Sequence, residues 1–142
     1  MILLDTNILS ELMRPAPEAA VEQWLAGQPA ASVFISTITE AELRYGLALM
    51  PGGKRRSALA VEIENMLGED FSGRILPFDS PAAVAFAGIA AGRRQAGRPI
   101  SQADAQIAAI ARSRGAALAT RNVPEFEGCG VEIINPWTGK GA

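Results

Sequence analysis

Short apolar runs alternate with longer stretches of helical periodicity along this chain, and Gly and Pro separate them at regular intervals. Residues 1–4, 32–35, 74–78, 117–119 and 131–134 read as strands, because each is brief, apolar and bounded by turn residues. Helices are predicted over 5–13, 17–26, 37–50, 56–67, 81–95 and 101–113. The first stops before Arg14-Pro15, since a residue preceding proline avoids the helical region. Gly27, Gly68 and Gly115 stand where the second, fourth and sixth should stop. The alternation predicts a single domain over residues 1–142, a three-layer α/β/α fold around a mostly parallel five-stranded sheet.

The helical faces refine this. Leu59, Ile63, Met66 and Leu67 should face inward from the fourth helix. In the sixth, Asp104, Ile107, Ala108 and Ala111 share a face, so an acid tops an apolar stripe. In the third, Glu42 shares a face with Ile38, Tyr45, Gly46 and Leu49 and is assigned to the interior. Glu40 precedes Arg44 by four residues and is assigned to a surface ion pair. Asp5 follows the first strand, where open α/β sheets place their chemistry. Each acid also has a plain structural reading. Asp5 fits a helix N-cap, Asp104 the third position of a capping box opened by Ser101, and Glu42 a box opened by Thr39. Their recurrence at three strand–helix entries favours one site, and residues 5, 42 and 104 are expected to converge at one rim of the sheet.

Composition narrows the chemistry. The 142 residues are 49% hydrophobic, enough for one real core. No apolar run approaches the ~20 residues of a membrane span, and the N-terminus lacks a signal pattern, so a cytoplasmic protein is expected. The lone Cys129 leaves no intrachain disulfide or cysteine zinc site and is read as inert. Histidine is absent, which removes Ser-His and Cys-His triads and histidine-ligated zinc. Acid–base or metal chemistry must then rest on carboxylates. Asp5, Asp70, Asp79 and Asp104 are all the aspartates, and two of these are candidate site residues. A net charge of −2 argues against unspecific nucleic-acid binding by a basic surface. The local groups Lys54-Arg55-Arg56, Arg93-Arg94-Arg98 and Arg112-Arg114-Arg121 read first as solvated helix ends.

Clustered carboxylates repel, and one would be driven to keep a proton. A bound Mg²⁺ or Mn²⁺ removes that cost, and an all-oxygen donor set suits these ions. Such an ion polarises a phosphodiester and activates a water for in-line attack. A second ion needs a fourth ligand. Thr120-Arg121-Asn122, after the fourth strand, is where to look. Asn122 is neutral, and Glu125 lies three residues on.

The chain resembles a PIN-domain ribonuclease of the VapC toxin type. The resemblance runs through Leu4-Asp5-Thr6-Asn7, Ile35-Ser36, Glu42-Leu43 with Gly46, and Gly97-Arg98-Pro99-Ile100 before Ala103-Asp104. It continues through Thr120-Arg121-Asn122 with Phe126 and ends on Asn135-Pro136-Trp137. It implies a PIN-like fold and a Mg²⁺- or Mn²⁺-dependent endoribonuclease with an RNA substrate. It also implies a homodimer and a cognate antitoxin, through which alone DNA would be contacted. Asp5, Glu42 and Asp104 map to the metal-binding acids, and Thr6 and Thr120 to polar positions near them. Asn122 departs from relatives that carry aspartate there, leaving Glu125 as the candidate replacement.

A catalytically weak RNA-binding module on the same fold is the competing expectation, motivated by Asn122. Phosphotransfer at Asp5 would need a second aspartate two residues on, where Asn7 stands. Ala87, Gly88, Ala90, Ala91 and Gly92 permit close helix packing, either in a core or between subunits. Asp79 or Ser80 should cap the fifth helix, with Pro81 at its first position.

Overall fold

The computed structural model describes residues 1–138 and the backbone of 140–141. Strands β1 (Ile2–Leu4), β2 (Val33–Ser36), β3 (Ile75–Leu76), β4 (Ala117–Ala119), β5 (Ile133–Asn135) and β6 (Lys140–Gly141) form one sheet in the order β3-β2-β1-β4-β5-β6. The first five are parallel, as expected, and β6 adds a short antiparallel edge. The chain runs outward from β1 to β3 on one side and resumes at β4 on the other. β1 is therefore the central strand, and its carboxyl end lies at a topological switch point.

Among the described residues, α-helices surround the sheet: α1 (Thr6–Leu12), α2 (Ala19–Ala26), α3 (Thr37–Leu49), α4 (Lys54–Asn65), α5 (Ser80–Gln95), α6 (Gln102–Arg114) and α7 (Val123–Phe126). Alternation along the strands separates two cores. Leu3 and Leu118 join Ile89, Ile107, Ile110 and Phe126 on the α5–α7 face. Leu4, Val33, Ile35 and Ala119 join Ile8, Val21, Leu43 and Ile63 on the α1–α4 face. Three layers follow, since both faces of every central strand are covered.

Helix ends obey local chemistry. Asp79 caps α5 by accepting from the Ala82 amide at 3.1 Å. Ser101 caps α6, and Gly115 ends it in the left-handed conformation at φ 65°. Gly68 does not stop the fourth helix. That helix begins at Lys54, and its end widens into a π turn over Met66–Asp70 that keeps Leu67 buried. β5 lies at 133–135 rather than 131–134, and the one-turn helix α7 was not anticipated.

The largest departure is the face of α3. Tyr45 and Leu49 are each 67% exposed, and Glu42 and Gly46 are exposed with them, while Thr39 and Leu43 are buried. The chain packs the 39/43 row, and Ser36, not Thr39, is the N-cap, its hydroxyl accepting from the Thr39 amide at 3.1 Å. That turn points Thr39 and Leu43 at the sheet and puts Glu42 on the outward side. On α5, Ala87, Gly88, Ala91 and Gly92 are exposed, so these small residues do not serve core packing.

Candidate active site

The site starts where β1 ends. The Asp5 amide still pairs with the Ala119 carbonyl at 2.9 Å, so the backbone is fixed by the sheet, and Asp5 then caps α1. Its side chain is buried, 4% exposed. Oδ1 accepts from the Thr6 amide at 2.7 Å, and Oδ2 accepts from the Thr120 hydroxyl at 2.8 Å and from Asn7 Nδ2 at 3.2 Å. Thr120 is the residue after β4 and is fully buried. Its oxygen accepts from the Asn122 amide at 3.0 Å, while Asn7 Oδ1 accepts from the Arg121 amide at 3.4 Å. The ends of two neighbouring strands are thereby tied around one carboxylate.

Glu42 enters from α3. Its Oε1 accepts from the Thr6 hydroxyl at 2.7 Å, and Thr6 Oγ1 lies 3.0 Å from Thr39 Oγ1. Asp104 enters from the first turn of α6, half-buried, its amide donating to the Ser101 hydroxyl at 3.2 Å. Ile107, Ala108 and Ala111 below it are buried, as its helical face requires. Glu40 makes the expected surface pair with Arg44 at 2.9 Å, and Glu64 joins it at 2.5 Å.

Electrostatics distinguish these acids. Burial pushes the Asp5 carboxyl up to about 6; the hydrogen bonds from Thr120 and Thr6 oppose that, and the charges of Asp104 and Glu42 add to it. Burial also raises Asp104, opposed by the Ser101 hydroxyl, with Glu125 raising it and Arg93 lowering it. The charges of Asp104 and Glu42 thus reach Asp5 without forming a closed cluster. Among the described residues, no three His, Cys, Asp or Glu side chains come together closely enough to hold one ion as they stand. The expected tight convergence of 5, 42 and 104 is corrected to this extent: Glu42 lies on the outward face of α3, where the Thr6 hydroxyl engages it. The donor chemistry still fits a hard divalent cation, because the set is all oxygen and Asp5 carries a charge its neutral partners do not fully support.

Asn122 and Glu125 are exposed at the start of α7. The Asn122 side chain does not cap that helix. Sequence reasoning missed two buried ionic residues. Arg93, 6% exposed, donates to the carbonyls of Arg98, Glu125 and Glu127. Glu11, 5% exposed, accepts from the Glu18 amide and from Arg14. Arg93 had a readable signal, since it lies four residues after Ile89 on the buried row of α5. Cys129 is buried, and burial pushes its thiol upward, consistent with inertness.

Beside Glu42, a cleft of about 470 Å³ opens between α1, α3 and α4. Thr6, Glu42, Arg14 and Arg55 line it together with the apolar Leu43, Leu47, Met50, Leu59 and Ile63.

Comparison with known proteins adds to this geometry. The family model for the PIN domain matches residues 2–123. A protein named VapC ribonuclease Y4jK from Sinorhizobium fredii is 44% identical over 137 residues, covering 96% of this chain and 98% of the relative. The solved structure of FitAB bound to a DNA fragment superposes with a TM-score of 0.91 at 42% identity, covering 96% of each chain. VapBC-5 from Mycobacterium tuberculosis, described as a member of the VapBC family of toxin–antitoxin systems, superposes with a TM-score of 0.71 at 27% identity, covering 94% of this chain and 96% of that one.

Proposed function

This chain belongs to the PIN-domain family, and we propose that it is an endoribonuclease, the toxin of a toxin–antitoxin pair, working with Mg²⁺ or Mn²⁺ at Asp5 and Asp104. The observation that carries the reading is Asp5. A carboxylate buried at the switch point, held by a backbone amide, a hydroxyl and an amide side chain, is nonetheless raised to about 6. A structural carboxylate with that many donors would have a depressed value. Here burial outweighs the neutral donors and the charges of Asp104 and Glu42 add to it, an arrangement that a cation completes.

The roles follow from the contacts. Asp5 and Asp104 would hold the ion, and Glu42 would serve as the third acid once it leaves Thr6. When bound, the cation supplies Lewis acidity toward a phosphodiester and lowers the pKa of a water. Thr6 and Thr120 fix the Asp5 rotamer through its two oxygens. Asn7 braces the β1 end against the β4 end. Asn122 and Glu125 line the site on the α7 side.

The relatives named as ribonucleases and as toxin–antitoxin complexes support RNA as substrate and a cognate antitoxin as partner. DNA would be contacted through that antitoxin. The apolar cleft that opens at Glu42 suits an antitoxin segment that buries apolar side chains and brings a cation to the acids. A homodimer is part of the same proposal. No described helix is long and apolar enough to cross a membrane, which agrees with action in the cytoplasm.

The test is cleavage of structured RNA with Mn²⁺ by wild type, Asp5→Ala and Asp104→Ala. Loss of cleavage in both variants is expected. Equal cleavage by all three would assign the activity to a contaminant, and absence of cleavage by wild type would leave an RNA-binding module.

A further inference from the structure

We propose that Arg121, stacked over Trp137, is a substrate-positioning residue that holds an RNA phosphate neighbouring the one to be cleaved. This rests on the RNA-cleaving reading above.

The backbone sets Arg121 beside the candidate site. It follows Thr120, whose hydroxyl donates to Asp5 Oδ2 at 2.8 Å. Its own amide donates to Asn7 Oδ1 at 3.4 Å, and Asn7 Nδ2 donates to the same Asp5 oxygen at 3.2 Å. Trp137 comes from the turn after β5. Asn135 Oδ1 accepts from its amide at 3.0 Å, Pro136 before it is buried, and its ring packs against the α1–α4 core. The guanidinium carbon of Arg121 lies over that ring, 5.2 Å from its centroid. The segments after β4 and β5 thus hold one cation over a fixed aromatic face.

Stacking occupies a face of the guanidinium and leaves its in-plane N–H donors available. Among the described residues, those of Arg121 donate to no protein acceptor, and its charge joins no ion pair. Other arginines are committed. Arg14 pairs with Glu11, Arg98 with Glu127 and Arg114 with Asp79, while Arg93 donates to backbone carbonyls. The charge of Arg121 reaches Glu11, but that carboxylate is bonded to Arg14 and the Glu18 amide. Shielding Trp137 from water would need only an aliphatic stem. A charged, exposed head with unused donors suits an anion, and a guanidinium edge matches phosphate oxygens. The chain carries a net charge of −2 and its site is lined by acids, so a polyanion approaching that site needs a local cation.

The test is binding of the labelled structured RNA of the cleavage assay to the full-length protein in EDTA, read by fluorescence anisotropy over a range of salt. Arg121→Gln is expected to weaken binding on the order of tenfold, with little change in melting temperature. Its plot of log affinity against log salt should be shallower by about one unit. Arg121→Lys should keep most of that slope and lose a smaller factor, because it retains the charge without the planar edge. The double variant Arg121→Gln/Trp137→Leu should bind no more weakly than Arg121→Gln, because the ring acts through the guanidinium. If the double variant does not fold, the two single Arg121 variants still decide. With Mn²⁺, Arg121→Gln should raise KM by a similar factor and leave kcat near that of wild type. Wild-type RNA affinity and salt slope in Arg121→Gln would overturn the proposal and reduce Arg121 to a cover for Trp137. A fall in kcat at unchanged KM would overturn it as well. RNA binding that depends on Arg121, without cleavage by wild type, would overturn the nuclease reading and leave this contact standing. Neither binding nor cleavage by wild type would overturn both.

Discussion

Asp5 and Glu11 stand at opposite ends of α1, six residues apart, and are buried to nearly the same degree. The helix dipole favours the first and disfavours the second. Yet Asp5 is raised to about 6, while Glu11 is lowered. Burial raises both carboxyls, but it dominates at Asp5 and is outweighed at Glu11. Glu11 takes the Glu18 amide at 3.0 Å, which has the largest influence on it, and then Arg14, whose Nη1 lies 3.2 Å from both oxygens. The positive charge of Arg121 also reaches it. Asp5 has only neutral donors, and its charged neighbours are acids. Burial prevails at Asp5, where the charges of Asp104 and Glu42 add to it, and is outweighed at Glu11 by the Glu18 amide and Arg14, so the first is a candidate site and the second a structural anchor.

Replacing Asp5 should break this contrast most visibly. Asp5→Asn keeps the size of the side chain and removes its charge. RNA cleavage is expected to fall by more than about 100-fold, since losing a ligand should cost at least as much as losing a group that orients one. Stability at pH 7 should move the other way. The raised carboxyl corresponds to about 3 kcal/mol of unfavourable ionisation. Asparagine keeps an oxygen for the Thr6 amide but loses the one that accepts from both Thr120 and Asn7, at a cost of about 2 kcal/mol. Denaturant unfolding should thus show a net gain of about 1 kcal/mol. A loss of stability together with retained cleavage would make Asp5 an ordinary helix cap.

The same contrast predicts opposite pH dependences. Asp5 titrates at about 6 when folded and near its ordinary value of 3.8 when unfolded. Between those values the folded state holds more protons, so this group's contribution is greatest below about 3.8 and is lost as pH rises through about 6. The total change is about 3 kcal/mol. Glu11, whose value is lowered, contributes stability above its unfolded value, and that contribution is lost as pH falls through the folded one. Subtracting the stability profile of Asp5→Asn from that of wild type should give a curve descending from pH 4 to 7. The difference between wild type and Glu11→Gln should ascend over the acid range. Two curves of the same sign would undo the comparison.

Cation binding sharpens it further. At a Mn²⁺ concentration of about 100 times Kd, wild type should gain about 2.7 kcal/mol, seen as a rise of several degrees in Tm. Glu11→Gln should start from a lower Tm and show the same rise, because its partners are Arg14 and Glu18. Asp5→Asn should start higher and show almost none. A rise that survives in Asp5→Asn would place the ion elsewhere.

Much of this arrangement is legible from residue order, and the failures have physical causes. Asp5 and Asp104 could be placed because each follows or tops an apolar pattern with a single consistent phase. The β1 run admits no other reading, and the α6 stripe of Ile107, Ala108 and Ala111 fixes one face. Helix α3 offers two competing rows. Ile38, Tyr45 and Leu49 form a more apolar stripe than Thr39 and Leu43, so periodicity selects the wrong face. The packed row is the one held by a tertiary contact, Thr39 against Thr6, and by burial of Leu43 in the α1–α4 core, neither of which the periodicity of α3 encodes. Arg93 was missed because two of its partners are backbone carbonyls more than thirty residues away, and Glu11 because its leading partner is the Glu18 backbone amide; no side-chain pattern encodes either. Gly68 misled because a π turn needs no glycine stop.

The exposed face of α3 yields the smallest predicted effect and tests the revised role of Glu42. If this carboxylate were buried against Asp5, neutralising it would relieve repulsion and stabilise the protein. It is exposed, and its one close contact is the Thr6 hydroxyl at 2.7 Å, which a glutamine oxygen also accepts. Glu42→Gln should therefore change unfolding free energy by no more than about 0.5 kcal/mol, the range of ordinary surface substitutions. Its effect should appear in Mn²⁺ affinity alone, because only a charged oxygen turned from Thr6 toward the ion adds to binding. A stability gain comparable with that of Asp5→Asn would return Glu42 to the interior. Unchanged stability together with unchanged Mn²⁺ affinity would reduce it to a partner of Thr6 and leave the two aspartates to hold the cation.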